Sequence, residues 1–307
     1  MLDLIRMDLC RMRKMNSFVV VFVIITMFAM LSTYSSKLER EMYNENTKEE
    51  IENAIDNIPE EELEDEEEYA EDEEYEDDDE EYDDVDVGLV IDSTLEDLTK
   101  PYVDQMYASF ISGMFPALMI VIFTVLFVNA DHNSGFIKSI GGQVRHRWQI
   151  VASKIICVML FSLLMMLFLV VVQTAMNLFF FGEVNIYNST KFIRYIFIAY
   201  LMNASFATLA AFVTMLFRSN LVGLVFSILD VLGMFTIVAF LVNLLVQKLS
   251  DGESDFDLNK YMLSYCVNQI KYGAHFGDVS RELIVAGCFF VVSVAGSIFV
   301  FQKRDIS

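Results

Sequence analysis

Residues 150–181 read IVASKIICVMLFSLLMMLFLVVVQTAMNLFFF, with Lys154 as the one charge. A soluble domain spreads its apolar residues with a period of 2 or 3.6; here they form a continuous run. A bilayer core of about 30 Å takes about 20 apolar residues of helix. Backbone groups in lipid must bond within the segment, so a run this long reads as a membrane helix. It exceeds one span and is expected to tilt or to emerge past the bilayer. Five further runs meet or approach the same length: Ser17–Tyr34, Tyr107–Asn129, Phe192–Phe217, Leu221–Val246 and Leu283–Phe301. The chain is 55% hydrophobic with mean hydropathy +0.43. The fold expected is an all-α integral membrane protein with six transmembrane helices.

One segment departs from this pattern. Between Glu60 and Asp86 stand 21 Asp or Glu residues in 27 positions, with no Lys or Arg. Without that tract the formal net charge of −23 falls to −2. The tract has almost nothing apolar to bury and repels itself, so it is expected to be disordered. A solvated spacer is the plain reading. The alternative is an electrostatic collector, in which Glu66, Glu67, Glu68, Asp77, Asp78 and Asp79 concentrate cations or cationic peptides. Tyr69, Tyr75 and Tyr82 would add aromatic contacts.

Orientation follows from basic residues. With both ends inside, Lys and Arg are over twice as dense in the inside segments as outside. The cluster Arg6, Arg11, Arg13, Lys14 and the pair Lys303, Arg304 agree. Both termini are thus expected in the cytoplasm. Residues 1–16 read as an amphipathic helix, 17–34 as the first span and 35–106 as an acidic extracellular loop. Residues 107–307 hold five more spans, a cytoplasmic segment 130–149 and an extracellular loop 247–282. The first apolar run has no small-x-small pattern after it and is expected to stay as a span.

Two cytoplasmic segments carry signals. Apolar residues 2, 5, 9 and 12 sit at helical spacing with Arg6, Arg13 and Lys14 elsewhere on the wheel. That makes an interfacial helix able to attract anionic lipid. In 130–149, Asp131, Asn133 and Ser134 can cap a short helix through Phe136, Ile137 and Ile140, ended by Gly141-Gly142. Arg145, Arg147 and Trp148 then start the next span at headgroup level, where Lys154 can snorkel. Apolar residues exposed on such a helix make a docking surface.

These features together resemble the permease subunit of type-2 ATP-binding-cassette exporters. The resemblance rests on the amphipathic "elbow" before the first span and on the acidic–x3–Gly–x2–Lys segment Asp131, Gly135, Lys138. Arg145 and Arg147 before Ser153-Lys154, the six-span layout and the terminal Phe301-Gln-Lys-Arg-Asp-Ile306 complete it. Asp131 stands where the family usually has Glu, and the acidic loop is far longer than the family's. The resemblance implies a coupling helix made by Asp131, Gly135, Phe136, Ile137, Lys138, Ile140 and Arg145, seated on a separate ATPase subunit. It also implies a second permease subunit and a plasma membrane location, read as bacterial. No G-x-x-x-x-G-K-[ST] motif occurs, so ATP and Mg²⁺ are expected on the partner and no cofactor in this chain.

Within the spans, Asp230 is the one deep carboxylate. An acid at a helix centre costs about 2.5–3.5 kcal/mol on insertion scales, so it is expected to face protein or water. It reads either as a packing residue or, with Asn243, as part of a substrate pathway. Gln173, Asn177, Asn203 and Asn243 read first as hydrogen bonds between helices, and the small residues of 203–211 as close packing. Apolar residues at 262, 263, 267 and 270 predict a partly buried helix in the last loop. No pair of Gly/Pro-broken spans is expected. Neither a disulfide framework nor a metal site is indicated by Cys10, Cys157, Cys266 and Cys288, nor is a nucleic-acid partner.

Three functions fit. The first is an exporter permease for an amphipathic or cationic peptide or hydrophobic toxin, serving export or immunity. The second is an exporter of a monovalent cation, drug or lipid-linked glycan. The third is a membrane scaffold or sensor that recruits a basic partner through the acidic loop.

Overall fold

The computed structural model describes residues 1–56, 102–133, 148–249 and 257–303. The expected coupling residues from Gly135 to Arg145 and the acidic tract lie outside the described residues. The chain divides into two units, Met1–Thr33 with Pro101–Ser307, and Tyr34–Lys100.

In chain order the helices are α1 (Leu2–Lys14), α2 (Asn16–Asp56), α3 (Val103–Ser112), α4 (Phe115–Asn133), α5 (Trp148–Phe181), α6 (Ser189–Phe217), α7 (Asn220–Val231), α8 (Met234–Leu249), α9 (Leu263–Asn268) and α10 (Ser280–Lys303). A 3₁₀ turn covers Leu258–Tyr261. The protein is an all-α membrane protein. Four helices are long and apolar enough to cross a membrane, at Asn16–Met42, Trp148–Phe181, Ser189–Phe217 and Ser280–Lys303.

The expected second and fifth spans are not straight helices. Val103–Ser112 and Phe115–Ala130 meet at 56°, and Asn220–Val231 and Met234–Lys248 at 66°. This corrects the expectation of unbroken spans. At the first bend Met114 takes a left-handed φ of 54°, rare for a bulky residue. Pro116 follows in the first turn of α4, where its missing N–H costs nothing; inside a continuous helix its ring would clash with the Ser112 carbonyl. At the second, Gly233 has φ 73°, open to glycine because it has no Cβ. The Gly233 N–H donates to the Asp230 carbonyl at 3.0 Å, which closes α7.

In the first unit α6 is the central helix, packed against α4, α5, α7 and α10. Its small residues permit this: Ala204, Ser205, Ala207, Thr208, Ala210 and Ala211 are all buried. Ser205 Oγ donates to the Ala286 carbonyl of α10 at 3.0 Å. Further along, a Cβ on Gly296 would lie 2.6 Å from the Phe212 ring. These contacts run in the same direction, so α6 and α10 are parallel. α4 and α7 are antiparallel, since Asn129 Nδ2 donates to Asn220 Oδ1 and Val125 lies beside Gly223. Continued along the pair, that register sets Gly233 level with Phe115, so the two bends share one height. α1 packs on the first turns of α5, where Cys157 Sγ contacts the Ile5 carbonyl at 3.8 Å. Phenylalanines fill the space between, with Phe123 stacked on Phe161 at 3.8 Å.

The second unit is described as far as Asp56. Residues expected to begin the acidic loop at Ser35 are helical up to there. Their sequence explains the correction: strong helix formers with charges at i, i+4 spacing, including Lys37–Glu41 at 3.7 Å, sustain the helix beyond the apolar run.

Candidate functional site: a bent helix pair and two buried polar clusters

The buried face of α7 is Gly223, Ser227 and Asp230, spaced i, i+4, i+7. Gly223 lets the helix approach α6, because a Cβ there would lie 2.6 Å from Thr214 Oγ1. That approach carries Ser227 and Asp230 inward one and two turns later. Asp230 is 9% exposed, so it faces protein as expected. Among the described residues its carboxyl group has no hydrogen bond or ion pair. Ser227 Oγ one turn earlier is likewise buried without a hydrogen-bond partner. So is Ser264 Oγ of α9, which lies 3.9 Å from the Cβ position of Gly233. The Ser227 and Ser264 hydroxyls are thus buried with unused hydrogen-bonding capacity, the first on the inner face of α7 and the second beside Gly233 at the bend. Buried polar groups are ordinarily satisfied, so such a group calls for a role.

Asn243 does not join them. Its Nδ2 donates to Asp257 Oδ1 at 2.6 Å, and its Oδ1 accepts from the Leu258 N–H at 2.8 Å. It fastens α8 to the 3₁₀ turn, in line with its reading as a hydrogen-bonding residue.

A second cluster ties α1 to α5. Asp8 is 3% exposed and Lys154 3%. Ser153 Oγ donates to Asp8 Oδ2, and Lys154 Nζ stands 3.9 Å from Asp8 Oδ1. Lys154 Nζ also lies over the Phe127 ring, 5.2 Å from its centroid. The expected snorkelling of Lys154 is corrected: the side chain turns inward to α1 and α4. Sequence reasoning missed Asp8, whose one signal is an acid four residues before Met12 on the packed face of α1.

The third cluster closes the opposite end of the bundle. Asp104 of α3 is fully buried and accepts the Tyr187 and Asn188 N–H groups, each at 3.3 Å, and the Tyr272 hydroxyl. Asn188 caps α6 through Thr190 N at 3.1 Å and Lys191 N at 3.0 Å. Burial, then Asp104, raise the Tyr272 hydroxyl above its ordinary value. Arg194 Nη2 donates to the Gly273 carbonyl at 2.9 Å. The last loop is thereby pinned to the start of α6, with Leu263, Val267 and Ile270 buried as their spacing predicts.

Residues 91–307 match the family described as "Protein of unknown function (DUF2705)". The chain belongs to that family. The matched region takes in both bent pairs, Ser153, Lys154 and Asp230; α1 with Asp8 precedes it. No curated protein and no solved structure matches the chain. Within the family region, the remaining expected site residues are placed as follows. Asp131 stands in the last turn of α4. Gly135, Phe136, Ile137, Lys138, Ile140 and Arg145 are outside the described residues. Gln173 does bridge helices, its Nε2 donating to Thr33 Oγ1 at 3.1 Å. Asn203 instead bonds its own helix, to the Ala199 carbonyl at 2.8 Å. Among the described residues no group of three or more His, Cys, Asp or Glu side chains converges to hold a metal ion.

Proposed function

We propose that this chain is the permease subunit of an ATP-driven exporter, embedded in a plasma membrane with both termini cytoplasmic. The observation that carries the reading is α1. It is an amphipathic helix before the first apolar helix, and Asp8 holds it to Ser153 and Lys154. The resemblance stated above rests on that helix and that dipeptide, read there as separate features; their contact supports treating them as one device. Parallel α6 and α10 fit an even number of crossings, with α3–α4 and α7–α8 each counted as one bent span. The expected coupling residues, from Asp131 at the end of α4 through Arg145 outside the described residues, are then the contact for a separate ATPase, and two permease subunits form the path. The cargo proposed is an amphipathic or cationic peptide or hydrophobic toxin, concentrated by the acidic tract.

The test is Phe136→Asp with Ile137→Asp in the full chain. The account predicts loss of the co-purifying ATPase with the fold intact. Retention of the ATPase, or its absence from the wild type, contradicts it. A second reading, export of a monovalent cation, is favoured by the unpartnered Asp230, Ser227 and Ser264. Asp230→Asn then changes the pH dependence of transport; an identical activity–pH curve counts against it.

A further inference from the structure

The loop before α10 meets the first turns of α6 at one guanidinium. Arg194 Nη2 donates to the Gly273 carbonyl at 2.9 Å, and Arg194 Nη1 stands 3.1 Å from His275 Nδ1. A guanidinium has N–H donors, no acceptor, and keeps its charge at any working pH. His275 Nδ1 must therefore be the acceptor. The contact exists only while the imidazole is neutral, with its proton on Nε2.

His275 also carries the entry to α10. Its carbonyl accepts the Asp278 and Val279 N–H groups at 3.1 and 3.3 Å. Its own N–H donates to Asp278 Oδ2 at 2.9 Å. The next residue, Phe276, lies edge-on to Phe197 of α6, with centroids 6.3 Å apart. A change at this imidazole is thus passed to the place where α10 starts its packing on α6.

The surrounding charges set the direction. From α6 come Arg194 and Lys191, whose Cδ lies 3.6 Å from the Cβ position of Gly273. The loop itself supplies Lys271 and Asp278. α10 adds Arg281, paired with Glu282 at 2.5 Å. α3 adds Asp104, which accepts from the Tyr272 hydroxyl, and α9 carries no charged residue. Of the acids, Asp278 is bonded to the backbone of His275, and its Oδ1 has no hydrogen bond among the described residues.

We propose that His275 is a proton-operated latch. The neutral ring holds the loop to α6 through Arg194; the protonated ring gives up Arg194 for the Asp278 carboxylate and loosens the entry of α10. The proton comes from solvent and binds Nδ1. Both ring nitrogens are then donors, and two N–H groups and two positive charges oppose each other where one bond stood. Arg194 keeps the Gly273 carbonyl, while its Nε is already buried without a hydrogen-bond partner. Protonation of histidine is a general way to bias such a two-state contact. The latch rests on neither the exporter reading nor the orientation. With both termini cytoplasmic, as proposed above, it faces the exterior and reads external pH.

The test is a double-variant cycle on the full chain in detergent at pH 8 and pH 5.5, the range in which an imidazole changes charge. The variants are Arg194→Met, His275→Ala and the pair, followed by thermal unfolding. At pH 8 the two single losses are expected to exceed the loss in the pair by about 2–4 °C, the size for one bond to a charged group. At pH 5.5 this coupling is expected to vanish or change sign. His275→Gln, whose amide oxygen accepts at either pH, is expected to keep its coupling to Arg194 at both. Protection of the Asp278–Leu283 amides from hydrogen exchange, taken against the intrinsic rate at each pH, is expected to fall at pH 5.5 in the wild type and not in His275→Gln. No coupling at pH 8 overturns the contact. Equal coupling at the two pH values, a pH-dependent coupling that persists in His275→Gln, or unchanged amide protection overturns the latch.

Discussion

Replacing Asp8 by Ala is expected to be among the most damaging single changes in α1. The substitution takes the Asp8 carboxylate from Lys154 at 3.9 Å and an acceptor from Ser153, both at buried positions. Breaking a buried charge pair from one side costs about 3–5 kcal/mol, because the remaining charge stays desolvated. For a chain of this size that corresponds to a melting shift on the order of 10 °C. Replacing both partners by apolar groups of similar size removes the desolvation cost along with the attraction, and is often neutral. Asp8→Leu/Lys154→Met is therefore expected to melt within a few degrees of the wild type. The assay is thermal unfolding of Asp8→Ala, Asp8→Leu, Lys154→Met and Asp8→Leu/Lys154→Met in detergent, followed by Trp148 fluorescence, the last three closing the cycle. A coupling term of about 2 kcal/mol or more supports the buried pair. Additive effects, or an Asp8→Ala variant as stable as the wild type, refute the reasoning.

Other predictions concern the far end and the bends. Tyr272→Phe removes one donor to buried Asp104 and is expected to cost about 1.5–3 kcal/mol at pH 7. Because the folded Tyr272 hydroxyl titrates above its unfolded value near pH 10, its contribution is present below that pH and lost as pH rises through the folded value. Wild-type melting should thus fall more steeply than the variant's in strong alkali; equal slopes would contradict the bond. Cys266 is fully buried and its thiol is pushed up to about 11 by burial and then by Glu282; alkylation at pH 8 should require unfolding, and rapid labelling of the native protein would disprove its placement. Gly233→Ala meets no close atom, so its expected cost of about 1–2 kcal/mol comes from φ 73° alone. Gly223→Ala puts a Cβ 2.6 Å from Thr214 Oγ1, and Thr214→Ala should rescue it but not Gly233→Ala.

Much of the architecture was legible because its cause is local. A run such as 150–181 has one stable form in lipid, and apolar residues 262, 263, 267 and 270 stand at helical spacing where the helix 263–268 forms. The bends were less visible because composition does not register them. Leu232 and Gly233 sit in an apolar run that satisfies every span criterion, and only φ at Gly233 ends the helix. At the first bend the signal was present, in Gly113 followed by Pro116, but the break itself falls on Met114, a residue with no turn preference. Asp230 was legible as an interior group because its cost in lipid leaves no other place. Asp8 was not, since an acid among basic residues at a chain end reads as solvent-exposed until its distant partners, Ser153 and Lys154, are brought to it. Asn243 was legible only as a hydrogen-bonding amide; its partners, Asp257 and the Leu258 N–H, lie in the loop after α8 and could not be named from the sequence.

The most direct measurement is purification of the tagged full chain from its own host in mild detergent, with stoichiometry and ATPase activity of the product. The account predicts a fixed ratio of this chain to a partner carrying a phosphate-binding loop, and ATP hydrolysis that is lost with Phe136→Asp/Ile137→Asp. A homogeneous chain with no such partner, and no hydrolysis from membranes that contain it, would contradict the permease assignment.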